Sequence, residues 1–253
     1  MQEVIVGTCG FQKARKRHFE ELDAVEVQQT FYDPPPPEKL SSWRREAPQG
    51  FIFTVKVWML VTHGYNKRLW RRLKRKLPFE PESFKPFETS RPVLWALEVT
   101  LEAARALETR ILVFQTPPSF KATQENARRV TEFFRNAGLD DWEVYWEPRG
   151  DWWSSGRKLL EEVAGSLGLR VAGDLLRGRE PPGWQDVAYI RLHGLGGRGE
   201  VNYRYKYTDS DLRMLLSKIT RFQRAYVMFN NVYAFEDAVR FKKMIREALS
   251  KAH

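Results

Sequence analysis

Eight short runs of β-branched and aromatic residues recur along these 253 residues, and most are separated by stretches whose apolar residues keep helical spacing. A helix between two strands returns the chain to the same end of a sheet, so this alternation dictates parallel pairing. The runs are Gln2 to Thr8, Ala24 to Gln28, Phe51 to Val57, Arg110 to Gln115, Trp142 to Glu147, Leu169 to Asp174, Asp186 to His193 and Arg224 to Asn230. Helical spacing covers Glu38 to Arg45, Pro92 to Leu107, Thr123 to Ala137, Leu159 to Leu167, Asp209 to Arg221 and Glu236 to Lys251. Eight is the number that closes a (β/α)8 barrel, and the near-even spacing favours it over an open doubly wound sheet. A single TIM-like barrel domain over residues 1–253 is therefore expected, since such barrels are routinely of this length. Pro34 to Pro37 can be neither helix interior nor central strand, so they form a stiff extended arm.

Barrel enzymes place their sites at the carboxyl ends of the strands, and here those ends are polar throughout. They carry Thr8 and Cys9; Glu26, Gln28 and Thr30; Lys56; Gln115; Glu147 and Arg149; Asp174; Arg191 and His193; Asn230 and Asn231. In the seventh run alternation sets Tyr189, Arg191 and His193 on one face, with Ile190 and Leu192 on the other. Lys56, Arg149 and Arg191 suit an anionic substrate, and each arginine can make a two-pronged contact to phosphate or carboxylate. Glu147, Asp174 and His193 are candidates for general acid and base, because burial can tune such groups toward neutral pH. The competing reading of the same charges is an internal ion-pair network. Nothing near Lys56 marks it for Schiff-base chemistry.

The net charge is +10, and most of the excess is concentrated. Between Glu46 and Glu80 there is no acid, while Lys56, Lys67, Arg68, Arg71, Arg72, Lys74, Arg75 and Lys76 supply eight positive charges. Leu69, Leu73 and Leu77 recur every four residues beside Trp70, so the spacing predicts a helix over Asn66 to Leu77 with one apolar stripe and a basic remainder. This is a basic helical insertion after the third strand. Its cations suit phosphates, whereas the narrow apolar stripe argues against a membrane-surface helix; the bland alternative is a solvated face.

Other features exclude more than they assign. Cys9 is the one cysteine, which rules out an internal disulfide and an iron–sulfur site. Two carboxylates and one histidine admit a divalent metal, but a multi-zinc site needs more ligands than these strand ends offer. No apolar run approaches a membrane span and no secretory leader is evident, so a cytoplasmic, soluble protein is expected. Gly194 to Gly199 is glycine-rich but is not followed by a helix, so it is no dinucleotide fingerprint. Tyr203, Tyr205 and Tyr207 alternate with Arg204 and Lys206; this suits either bases stacked on rings or a short loop hairpin. Trp152 and Trp153 either wall the strand ends or cap the core, and His63 is a loop ligand or a surface residue.

A set of ordered motifs carries a family resemblance. Gly7-Thr8-Cys9-Gly10-Phe11, Val25-Glu26-Val27-Gln28-Gln29-Thr30-Phe31-Tyr32, Phe51-Ile52-Phe53-Thr54-Val55-Lys56 with Thr62-His63, Phe114-Gln115-Thr116-Pro117-Pro118-Ser119-Phe120, Tyr189-Ile190-Arg191-Leu192-His193-Gly194 and Phe229-Asn230-Asn231 follow one another as in the DUF72 (YecE-like) family. The chain resembles that family from its first strand to its last. The resemblance implies a TIM barrel and a relationship to endonuclease IV-like barrels with nucleic-acid binding. Cys9 and Phe11 stand where the family commonly has Ser and Trp, Gln28-Gln29 where it has Asn-Ser, and Trp146-Glu147-Pro148-Arg149 where it tends to read Glu-Phe-Arg. The histidine-rich zinc set of endonuclease IV-like barrels is missing.

Together these features lead to an expected nucleic-acid-binding protein with nuclease or phosphodiesterase-type hydrolase activity. Its catalytic candidates are Glu147, Asp174, His193 and Lys56. Its substrate-binding candidates are Glu26, Gln28, Thr30, Tyr32, His63, Gln115, Arg149, Arg191, Tyr205, Asn230 and Asn231, with Lys67, Arg68, Arg71, Arg72, Lys74, Arg75 and Lys76 as nucleic-acid contacts. The alternatives are a non-catalytic nucleic-acid-binding protein and an enzyme acting on a small phosphorylated or carboxylated metabolite.

Overall fold

A computed structural model describes residues 3–183, 185–197 and 199–250. Gln2 and Lys251, at the outer limits of the first expected strand and last expected helix, and Arg198 of the glycine-rich loop, lie outside the described residues. The chain forms β1 (Glu3–Cys9), α1 (Arg15–Glu21), β2 (Ala24–Val27), α2 (Gln29–Tyr32), α3 (Pro37–Glu46), β3 (Ile52–Lys56), α4 (Met59–Thr62), α5 (Lys67–Trp70) and α6 (Arg91–Ala106). It continues through β4 (Ile111–Gln115), α7 (Gln124–Asn136), β5 (Glu143–Glu147), α8 (Arg157–Leu167), β6 (Arg170–Val171), β7 (Val187–Leu192), α9 (Asp209–Ile219), β8 (Arg224–Phe229) and α10 (Ala234–Ser250).

The eight strands lie in one sheet in the order β6-β5-β4-β3-β2-β1-β8-β7. The registers are parallel, with Thr8 opposite both Val25 and Phe229, Val55 opposite Leu112, Phe114 opposite Trp146, and Ile190 opposite Val227. Gly173, two residues past β6, makes a parallel bridge to Ile190 of β7, joining the two ends of that order. This is the (β/α)8 arrangement. β6 itself is shorter than the apolar run suggests, because only Arg170 and Val171 pair with β5. Asp174, placed in that strand by the run, instead caps a 3-10 turn over Leu175–Arg177.

Helix limits follow local chemistry. The Thr123 hydroxyl accepts from Asn126 N–H at the start of α7, and Thr208 and Asp211 form a reciprocal capping box on α9; such caps each contribute about 1 kcal/mol. Gly168, at φ +59°, stops α8. Pro37 is the first residue of α3, where its missing N–H costs nothing, so the extended arm ends one residue early.

The described chain groups into two compact units. One comprises the residues up to Glu26, Ala47–Ile52 and Ala172 onward; the other comprises Val27–Glu46 and Phe53–Val171. The first buries Ala188, Ile190 and Leu192 of β7 with Ala225, Val227 and Phe229 of β8 against Leu212, Leu215, Phe235 and Phe241. The second has an aromatic core in which Phe87 lies 5.2 Å from Phe133 and Trp146 lies 4.9 Å from Trp152. Trp152 is fully buried and donates to the Phe120 carbonyl at 2.7 Å, so it is core rather than a wall at the strand ends.

The basic insertion follows β3, but its helix is one turn, Lys67–Trp70, rather than the longer one that the leucine spacing predicts. Continuing it would stack Lys67 on Arg71, Arg68 on Arg72, and Arg72 on Lys76 at the i,i+4 positions where like charges repel. A competing acceptor takes one backbone N–H of this stretch, and the prolines hold one of its side chains. Lys74 N–H donates to Asp33 Oδ2 at 3.0 Å, and Arg75 Nη2 donates to the Pro34 carbonyl at 2.8 Å. The stretch containing Tyr203, Tyr205 and Tyr207 makes one turn, at Tyr203 and Arg204, and is otherwise irregular, with no hairpin strands.

Candidate functional site

In the first unit, the shared face of β7 meets Glu26 at the end of β2. Arg191 Nε donates to Glu26 Oε2 at 2.9 Å, its Nη2 donates to Oε1 at 2.7 Å, and Tyr189 OH donates to Oε2 at 3.0 Å. Strand alternation put Tyr189 and Arg191 together, and β2 supplies the counter-charge. Arg191 and Glu26 are both fully buried, so each satisfies the other's charge internally.

Beyond β7, Asp174 organises the next turn. Its Oδ2 accepts His193 N–H at 3.2 Å and its Oδ1 accepts Leu176 N–H at 3.2 Å. Burial pushes its carboxyl up to about 6, against the opposing pull of the His193 amide, Arg177 and Arg179. Arg177 was not among the candidates, since no motif marks it, yet it stitches the loop. Its Nε donates to the Gly194 carbonyl at 2.6 Å, Nη2 to that of Gly196 at 3.2 Å and Nη1 to that of Gly199 at 3.4 Å. Gly194 is at φ +79°, and a Cβ there would meet the Asn202 carbonyl oxygen at 2.0 Å, so this position requires glycine.

The tyrosines of that loop have separate fates. Tyr207 is buried, and its hydroxyl accepts Gly194 N–H at 2.7 Å; burial raises its pKa. Tyr205 OH donates to Asp211 Oδ2 at 2.7 Å, and this bond, with burial, pushes its hydroxyl up to about 12. Asn231 Nδ2 donates to the Tyr205 carbonyl at 2.7 Å and to Asp237 Oδ2 at 2.8 Å. Asn230 is half-buried, and its N–H donates to the Leu192 carbonyl at 2.8 Å.

In the second unit, a different group forms at the ends of β3 and β5. Lys56 Nζ lies 4.0 Å from the centre of the Phe31 ring, and the His63 ring meets the same phenyl edge-on at 4.8 Å. Arg149 Nη2 pairs with Glu147 Oε1 at 2.8 Å, and both are nearly buried. Burial holds the His63 imidazole down at about 3, helped by the positive charges of Lys56 and Arg149, so it is neutral at physiological pH. The Thr62 hydroxyl lies 2.8 Å from its Nδ1 and fixes the ring's orientation. The arrangement brings two cations, one carboxylate and a neutral imidazole to neighbouring strand ends.

The remaining candidates divide. The Thr30 hydroxyl lies 2.7 Å from both the Val27 and Lys56 carbonyls, which share its one proton, a structural role at the turn into α2. Gln28 sits at the start of α2, and Gln115 is half-buried at the end of β4. Tyr32 joins the basic insertion, with Arg72 4.4 Å above its ring. Lys67, Arg68, Arg71, Arg72, Lys74 and Lys76 are exposed, and among the described residues none pairs with an acid; Arg75 is the exception, 3.7 Å from Asp33. Among the described residues no group of three or more His, Cys, Asp or Glu is arranged to hold a metal ion, and no helix is long and apolar enough to cross a membrane.

Parallel strands in this order, ending in buried and paired polar groups, define an α/β barrel of the TIM type. The chain belongs to the family described as protein of unknown function DUF72, whose model matches residues 12–253. A DUF72 family protein from Enterococcus faecalis is similar in fold, with TM-score 0.69, 17% identity, and 97% of this chain and 98% of that one covered. One from Thermotoga maritima is 25% identical, with TM-score 0.61 over 97% of this chain and all of that one. SacUVDE shares the fold at TM-score 0.60 and 9% identity, covering 92% of this chain and 85% of its own. No curated protein matches the sequence significantly.

Proposed function

We propose that this protein binds nucleic acid and hydrolyses a phosphate ester within it. The observation that carries the reading is the insertion, where Lys67, Arg68, Arg71, Arg72, Lys74 and Lys76 are exposed and make no ion pair among the described residues. A polyanion is the partner that such a density of unpaired cations favours. The group around Lys56, His63, Glu147 and Arg149 supports the second half. A phosphate entering it draws Lys56 and Arg149 toward its oxygens; Glu147, released from Arg149, accepts a proton from the attacking water as the new P–O bond forms and the ester P–O bond breaks, and the leaving alkoxide takes its proton from solvent. The likeness to SacUVDE adds the fold and no more.

The test is binding of single- and double-stranded DNA and RNA measured by fluorescence anisotropy over a salt series. A variant with those six cations replaced by glutamine should bind more weakly, its logarithmic salt slope flattened by about 0.9 for each phosphate it no longer neutralises. Absence of binding at low salt would overturn the reading in favour of a small-anion enzyme. For the chemistry, Glu147→Gln should abolish turnover and leave binding intact; unchanged turnover removes Glu147 from the mechanism. Non-catalytic binding is the second reading, favoured by the Glu147–Arg149 pair, whose charges already satisfy one another.

A further inference from the structure

The first unit carries an exposed aromatic cluster beside the glycine loop. Tyr203 is 47% exposed, Val232 62% and Tyr233 39%, which is half of the large hydrophobic residues found exposed among the described ones. Two loops bring them together. Val232 N–H donates to the Tyr203 carbonyl at 2.7 Å, tying the turn after β8 to the turn that follows the glycine loop. Cations accompany the rings, with Lys206 Nζ 5.6 Å from the centre of the Tyr233 ring and exposed Arg204 next to Tyr203 in sequence. Neither Arg204 nor Lys206 forms an ion pair with an acid among the described residues.

The cluster is held in place from behind. Asn202 N–H donates to the His193 carbonyl at 2.8 Å, Asn202 Nδ2 to that of Leu195 at 2.8 Å, and Asn231 Nδ2 to that of Tyr205 at 2.7 Å. Tyr205 is half-buried and Tyr207 buried, so of the three alternating tyrosines Tyr203 is the exposed one, with its ring also meeting that of His193 edge-on at 6.3 Å between centroids. A fixed loop exposes aromatic area without the entropy cost of ordering it on binding.

We propose that Tyr203 and Tyr233 form a stacking platform for the unpaired bases of a single-stranded nucleic acid, with Arg204 and Lys206 on its phosphates. The proposal rests on the nucleic-acid reading and adds the strandedness of the ligand. Rings beside unpaired cations are what a single strand needs, because its bases offer free faces at the spacing of its charges. Duplex bases are already stacked and leave the rings without partners. A neutral sugar could also lie on tyrosine, but the two cations favour a polyanion.

The experiment compares wild type, Tyr203→Ala, Tyr233→Ala and Tyr203→Phe/Tyr233→Phe with the six-glutamine insertion variant, using a single-stranded oligonucleotide and its duplex. Each alanine should weaken single-strand binding by about fivefold to a hundredfold and leave duplex binding unchanged, while the phenylalanine pair keeps wild-type affinity. A second readout needs no variant: 2-aminopurine within the strand should change fluorescence on binding to the wild type. Alanine variants that bind the strand like wild type, or 2-aminopurine that does not respond, overturn the platform and leave the nucleic-acid reading standing. Weakening at the tyrosines with none in the six-glutamine variant sustains the platform and sinks the insertion as the binding surface. No binding to any nucleic acid at low salt ends both, and salt-insensitive displacement by a neutral oligosaccharide assigns the rings to sugar.

Discussion

Asp174 and His63, both buried, sit far from their ordinary protonation range, and each makes a test of its surroundings. Asp174 titrates at about 6 rather than 3.8, so between those values the folded state holds a proton that the unfolded chain has released. Stability should therefore fall as pH rises through that window, by at most roughly 3 kcal/mol from this one carboxyl. Asp174→Asn should flatten that part of the stability curve in denaturant titrations at pH 4, 5, 6 and 7; an unchanged slope would clear Asp174. His63 has the opposite sign. Its pKa lies at about 3, below the usual 6.5, so its contribution is complete above pH 6.5 and is lost as pH falls toward 3. Its ring resonances in NMR should remain those of neutral imidazole at pH 5. Inorganic phosphate binding at Lys56 and Arg149 should raise that pKa, since it offsets the two cations that depress it. Sequence alternation put Tyr189 and Arg191 on one face, but no local pattern could show that Glu26, 165 residues before Arg191, would meet them both.

The elements show where periodicity reads correctly and where it overreaches. Buried parallel strands read as continuous apolar runs, which is why most of the eight were legible to within a residue or two of their ends. β6 and the basic helix were overextended for related reasons. A helical pattern of leucines reports which face is apolar, but not whether a distant acceptor will capture the backbone. Asp33 does this for Lys74, and Asn66 Oδ1 accepts from Arg68 and Leu69 N–H at 3.0 and 3.1 Å to start the single turn. Asp33→Ala should leave thermal stability almost unchanged while speeding tryptic cleavage between Arg71 and Lys76, because the released segment is rich in cleavable bonds. Equal cleavage rates in wild type and variant would show that Asp33 does not hold the insertion.

For the whole molecule, the buried Glu26–Arg191 pair joins β2 to β7 within the first unit, and breaking it one-sidedly should be costly. Arg191→Met leaves the buried Glu26 carboxylate without its guanidinium partner, although the Tyr189 hydroxyl still donates to it, and should lower stability by about 3–5 kcal/mol in chemical denaturation. The double variant Glu26→Leu/Arg191→Met removes both charges and should recover most of that loss; a double variant as weak as the single one would show that packing, not charge, is at stake. The fold was legible because it depends on repetition, eight times over. The candidate site was legible only as a set of strand ends, since pairing between those ends depends on side-chain reach that no spacing encodes. Arg177 and Tyr233 went unmarked for the same reason: each acts on residues that the sequence places far away.

Arg177 holds three carbonyl oxygens of one glycine loop with a single guanidinium. Gathering several carbonyls around one positive centre is a task that loops elsewhere give to a calcium or potassium ion. Here the ion is covalently part of the chain. The loop therefore acquires its cation in the act of folding, at full occupancy. Its shape should be indifferent to chelators.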